Sequence, residues 1–167
     1  SIGQVVVTNP TNTTPNLAAT YTTLTNAITA LNTITSISGP VIITLNAGNP
    51  QTAPAGGYTI QFSAVTTAVN NITITGNNNV ITASNIHTAG SRVDAIFKLM
   101  GVDFITLSNF TMQENTLNTT SAAATNNMTE WGVALLYASS TNGAQNNTIR
   151  NNTISLNKTY GSTFGIY

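Results

Sequence analysis

The stretch Asn146-Asn147-Thr148-Ile149-Arg150-Asn151-Asn152-Thr153-Ile154-Ser155-Leu156 decides how the chain is read. A short apolar strand runs into a polar corner holding Asn, and a second short apolar strand follows. The same plan occurs earlier, in Phe104-Ile105-Thr106-Leu107-Ser108-Asn109-Phe110-Thr111-Met112. Laying Leu107 on Ile149 sets Asn109-Phe110-Thr111-Met112 on Asn151-Asn152-Thr153-Ile154. Asn71-Ile72-Thr73-Ile74-Thr75, the corner Gly76-Asn77-Asn78-Asn79 and Val80-Ile81 give a third copy, with Ile74 at the position of Leu107. Ile74, Leu107, Met112, Ile149 and Ile154 are therefore the expected core repeat. Each unit is too short to bury its own apolar side, so such units must stack on one another.

The expected fold class is all-β: a right-handed parallel β-helix (solenoid) with an N-terminal capping helix. Outward from the repeat, Ala95-Ile96-Phe97-Lys98-Leu99 and Trp131-Gly132-Val133-Ala134-Leu135-Leu136-Tyr137 read as parallel strands. Phe164-Gly165-Ile166-Tyr167 matches the opening of the second, as if another coil were starting. The aromatic residues Tyr137 and Phe164 fall in these strand patterns and are expected in the core. Residues 115–127 lack periodicity and read as a loop thrown out of the stack. Tyr21, Leu24, Ala27, Ile28 and Leu31 follow the spacing of one helix face, with N-caps at Thr20, Thr22 or Thr23 and a stop at Asn32. Residues 1–19 read as an extended arm with a short strand at Val5-Val6-Val7. Residues 20–167 read as the cap helix and first coils of a β-helix, expected to continue beyond the given chain.

Composition narrows the function. The chain has 167 residues, 41% of them hydrophobic and only 5% charged, with a formal net charge of zero. An average soluble domain is about a quarter charged. Without net positive charge, nucleic acid and anionic lipid have little to attract them. No cysteine is present, so disulfides, thiolate metal sites and thiol nucleophiles are excluded. No apolar run is long enough to span a bilayer as a helix. The polar surface must come from Asn, Thr, Ser and Gln. Asn tolerates left-handed backbone at corners, and stacked Asn side chains form amide ladders. Asn109 and Asn151 are assigned this ladder and corner role.

The helix, the Asn-x-Thr-Ile-x-Asn-Asn-x-Ile run and the variable loops resemble the parallel β-helix of pectin-lyase-like proteins. More narrowly, four segments are similar to large exported surface proteins of Bacteroidota-type bacteria. They are Ala19-Thr20-Tyr21-Thr22-Thr23-Leu24, Gly39-Pro40-Val41, Ala95-Ile96-Phe97-Lys98-Leu99 and Asn142-Gly143-Ala144-Gln145-Asn146-Asn147-Thr148-Ile149. The resemblance covers the chain from about Ala19 onward. It implies an extracellular or cell-surface location, a longer natural chain and export by the type IX system. It says little about activity, because one fold carries lyases, hydrolases and adhesins.

Chemistry is sparse. Asp94, Asp103, Glu114 and Glu130 are all the carboxylates, and spacing does not align them on one face. They read as solvated surface groups, and His87 as a lone surface histidine with no Ser/Asp arrangement around it. No catalytic residue, metal site or cofactor is expected. Trp131 is the one candidate for stacking on a sugar face. Asn-x-Thr sequons, including Asn71, Asn118 and Asn157, read as a by-product of abundant Asn and Thr.

The expected function is a non-enzymatic structural or adhesive protein, as part of a filament or stalk. Its partners would be further coils of the same chain, copies of itself, or surface glycans. The alternative is a carbohydrate-active lyase or hydrolase domain whose catalytic residues lie in downstream coils.

Overall fold

Runs in which Ile, Val or Leu alternate with Thr bury one side and expose the other, the signature of a half-buried strand. A computed structural model describes residues 3–167; Ser1 and Ile2, at the start of the expected arm and possible strand, lie outside the described residues. The strands are β1 (Val5–Thr8), β2 (Thr13–Thr14), β3 (Thr20–Tyr21), β4 (Ser36–Ile37), β5 (Val41–Leu45) and β6 (Gln51–Thr52). There follow β7 (Tyr58–Ile60), β8 (Ile72–Thr75), β9 (Val80–Thr82), β10 (Ala95–Met100) and β11 (Ile105–Ser108). The last are β12 (Thr111–Gln113), β13 (Trp131–Leu136), β14 (Thr148–Arg150), β15 (Thr153–Ser155) and β16 (Phe164–Ile166).

From β5 onward the chain visits three sheets in turn. Their strand orders are β14-β11-β8-β5-β1-β3, β16-β13-β10-β7 and β15-β12-β9-β6. Leu107 pairs with Ile74 on one side and Ile149 on the other, and Met112 with Ile81 and Ile154, all in parallel register. Trp131 pairs with Ala95 and Phe164. Ile43, Ile74, Leu107 and Met112 are fully buried in one core, while Ile149 and Ile154 pack on it half-buried. Inside, the rings of Tyr58, Phe97 and Phe110 follow one another at 5.0 Å steps, the first pair stacked and the second tilted at 48°. Burial pushes the Tyr58 phenol up to about 12, against a smaller opposing pull from the Thr25 hydroxyl.

The expected right-handed parallel β-helix is corrected by the strand pairing, which is parallel and antiparallel together. β1 runs antiparallel to both β5 and β3, so the six-stranded sheet is mixed. β2 and β4 form a separate antiparallel pair. The fold is thus mostly strand with few helices, in one mixed, two parallel and one antiparallel sheet, and not the expected right-handed parallel β-helix (solenoid) with a capping helix. The physical reason lies in what alternation encodes. A period of two fixes which face a side chain takes, but carries no information on strand direction. An Asn corner does not fix direction either: Asn9 follows β1 at φ +58° as Asn109 follows β11 at φ +60°, yet β1 runs antiparallel to β5. Within the expected arm, Val5 and Val7 are buried core residues.

The helix α1 (Leu24–Leu31) starts where Thr23 Oγ1 accepts the Asn26 backbone N–H at 3.1 Å. Leu24, Ala27, Ile28 and Leu31 are buried on one face, whereas Tyr21 belongs to β3. At the helix end Asn32 turns its amide onto the edge of β7. Its Nδ2 donates to the Thr59 carbonyl and its Oδ1 accepts the Gln61 N–H. That side of β7 carries no further strand, so the bracket satisfies backbone groups that an edge would leave open.

Candidate functional site

Two long connections stand out from the sheets: residues 83–94, between β9 and β10, and residues 114–130, between β12 and β13. Together they hold the chain's only histidine and three of its four carboxylates, Asp94, Glu114 and Glu130. They pack closely. Gly90, at φ +73°, lies so near the second connection that an added Cβ would sit 2.8 Å from the Ala124 carbonyl oxygen.

The expectation of solvated carboxylates and a surface histidine is corrected here. Asp94 and Glu130 are buried, and the His87 side chain is 3% exposed with Nδ1 3.3 Å from Asp94 Oδ2. That contact is an ion-pair distance without hydrogen-bond alignment. Glu130 Oε2 accepts the Asp94 N–H at 2.9 Å, and Oε1 accepts the Asn126 amide. The backbone closes the loop, since the N–H groups of Glu130 and Trp131 both donate to the Asp94 carbonyl. Glu114, half-buried, accepts from Thr129 N–H, Thr129 Oγ1, Asn118 Nδ2 and Asn115 N–H. Buried charge on this scale requires such partners.

Protonation follows from these neighbours. Burial acts most strongly on His87 and disfavours its cation. The Asp94 carboxylate, the Ser84 carbonyl and the charge of Glu114 together outweigh it, so the imidazole holds its proton above the ordinary range. Burial, with help from the Asp94 charge, also raises Glu130, against its bonds to Asp94 N–H and Asn126 and the pull of His87. Lys98, whose Nζ donates to the Val93 carbonyl, is lowered by burial, with Asp94 opposing.

The arrangement is poorly suited to catalysis. Ser84, His87 and Asp94 are neighbours, but Ser84 Oγ accepts the Ile86 N–H and neither His87 ring nitrogen makes a hydrogen bond among the described residues, so no hydroxyl is activated. Neither His87 nor Glu130 lines any of the three main surface grooves. Among the described residues no group of three or more His, Asp or Glu side chains is placed to hold a metal ion. Asp103, the fourth carboxylate, braces a turn: its Oδ1 accepts the Gln145 N–H and its carbonyl accepts Thr66 Oγ1, both at 2.7 Å.

The other predicted residues are placed as follows. Trp131 is 8% exposed and stacks beneath Tyr167 at 4.7 Å and 16°. The solvent-facing rings there belong to Tyr167 and Phe164, and Tyr137 is also exposed, so the expected core positions of Phe164 and Tyr137 are corrected. Phe164 lies in the edge strand β16, whereas Tyr137 follows β13 in the connection to β14 and turns its ring outward. Asn109 and Asn151 adopt left-handed backbone at φ +60° and +54°. The Asn109 amide bonds back to Thr75 and Ser108. Asn109 thereby reaches β8, and the neighbouring asparagines brace between strands through backbone groups. Asn152 donates to the Leu107 carbonyl and accepts the Phe110 N–H, and Asn147 does the same for Val102 and Ile105.

A groove of about 240 Å³ lies on the outer face of the mixed sheet, lined by Ala68, Asn71, Phe104, Thr106, Asn146 and Thr148. Phe104 is held at φ +51°, a costly conformation for an aromatic residue. Thr73, Thr106 and Thr148 stand in register beside one another on that sheet. The groove is uncharged.

Comparison with known proteins finds no matching family model, no matching characterised protein and no matching solved structure. Among the described residues no helix is long and apolar enough to cross a membrane.

Proposed function

We propose that the chain is a non-enzymatic structural or adhesive protein of the cell surface or extracellular space, which works by adding strands to its open sheet edges. One observation carries this reading. The three sheets end side by side on β14, β15 and β16, each paired on one side only. Phe164, Ile166 and Tyr167 are exposed there, with Ile149 and Ile154 half-covered. Edges of this kind are templates for further strands. Further strands of a longer chain or of a second copy would complete the pairing. The uncharged, Thr- and Asn-lined groove beside Phe104 suits a neutral glycan, with the ring against a sugar face and amides on hydroxyls. Export by a type IX route belongs to the same reading and rests on the resemblance alone.

Sedimentation velocity on the wild-type chain and on Phe164→Lys/Ile166→Lys tests the proposal. Concentration-dependent association that the double variant abolishes is expected. A chain that stays monomeric and binds neither cells nor glycans overturns it. So does polysaccharide cleavage that is lost on changing Asp94 or Asp103.

A further inference from the structure

The 83–94 and 114–130 connections bury more polar and ionisable chemistry than the rest of the molecule, and the edge-strand reading uses none of it. Their contact is held at three levels. Backbone bonds tie the Asp94 carbonyl to Glu130 and Trp131. Side-chain bonds tie Glu130 to Asp94 N–H, Asn118 Nδ2 to the Ser84 carbonyl and Asn115 Nδ2 to the Ala83 carbonyl. The third level is ionic: His87 against Asp94 at 3.3 Å, within reach of the charges of Glu114 and Glu130.

We propose that His87, Asp94 and Glu130 form a proton-operated clasp that holds the 83–94 connection on the 114–130 connection at mildly acidic pH and loosens it above neutrality. A protonated His87 neutralises Asp94 inside the contact. When His87 loses its proton, Asp94 stays buried beside Glu130 and Glu114 with Lys98 as the remaining cation in range. Like charges in low dielectric repel, and burial of unpaired charge is costly. The backbone and amide bonds remain, so the loops loosen without the sheets unfolding.

The sign follows from linkage. Histidine and Glu130 both bind their protons more tightly in the folded chain than in the unfolded one. Stability from each is therefore fully present below its unfolded value, about 6.5 for histidine and about 4.3 for glutamate. It is lost as pH rises through the higher folded value. The His87 window thus opens above about 6.5, and the Glu130 window precedes it.

Because His87 is the only histidine, its ring gives a single set of NMR titration signals in the unmodified chain. A midpoint above the ordinary value of about 6.5 is expected; a midpoint at or below it overturns the clasp. Amide hydrogen exchange, corrected for intrinsic pH dependence, gives the second readout. Protection of 84–93 and 115–129 should fall at least about threefold between mildly acidic and mildly alkaline buffer, while β8 and β11 stay unchanged. In His87→Gln the fall should vanish. An equal fall in His87→Gln, or none in wild type, contradicts the proposal.

Discussion

At the scale of single residues, the chain separates side chains that fill space from side chains that seal backbone. Leu107 is fully buried between Ile74 and Ile149, whereas Ile149 keeps one side open. Leu107→Ala should cost about 3 kcal/mol in denaturant melts, from lost transfer energy plus a cavity that neighbours cannot fill. Ile149→Ala should cost distinctly less. Asn152 bridges the Leu107 carbonyl and the Phe110 N–H through two part-buried bonds. Asn152→Ala strands one donor and one acceptor, and a loss of about 2 kcal/mol is expected in the same melts. Asn151→Ala acts through its left-handed backbone instead, so Asn151→Gly should be tolerated there and Asn152→Gly should not. Leu107 and Ile149 were legible because alternation marks inward positions. The division of labour between Asn151 and Asn152 was not, since both are one residue type at adjacent places. His87 was also illegible. Its partner lies seven residues on, across a loop whose path depends on packing against residues 114–130 rather than on any local pattern.

At the scale of elements, helix α1 was readable from its apolar spacing and its threonine cap, because a cap is local chemistry. The turn ahead of β7 was readable only as a loop. Its reason is a close approach. Gly57 has φ +91°, and a Cβ there would lie 2.0 Å from the Ala95 carbonyl oxygen, on the neighbouring strand β10. Gly57→Ala therefore meets both backbone strain and rigid backbone, and should destabilise by about 3 kcal/mol in thermal or denaturant unfolding. Gly48, also left-handed but with nothing near its Cβ position, should cost about 1 kcal/mol. Equal losses at the two sites would show that conformation, and not the approach of β10, governs the turn. The aromatic series Tyr58, Phe97 and Phe110 explains why β7, β10 and the corner before β12 sit over one another.

At the scale of the whole molecule, strand spacing fixed the neighbours and left direction open. From β5 onward the strands pair in parallel, whereas β1, β2, β3 and β4 pair antiparallel. The apolar run Val5-Val6-Val7 marks a strand but is compatible with either direction, which is why the mixed pairing of β1 was not legible. Charge is arranged at the same scale. Asp94, Glu114 and Glu130 are consumed in joining two connections, and Asp103 in a turn, which leaves a surface of Thr, Asn and exposed apolar edge carrying the cations Arg92, Arg150 and Lys158. The function proposed for the chain lives on that edge. Amide hydrogen exchange of β14, β15 and β16 followed as a function of protein concentration tests it most directly. Protection that rises with concentration in these three strands alone is the predicted result. Exchange there that stays fast and independent of concentration would contradict it.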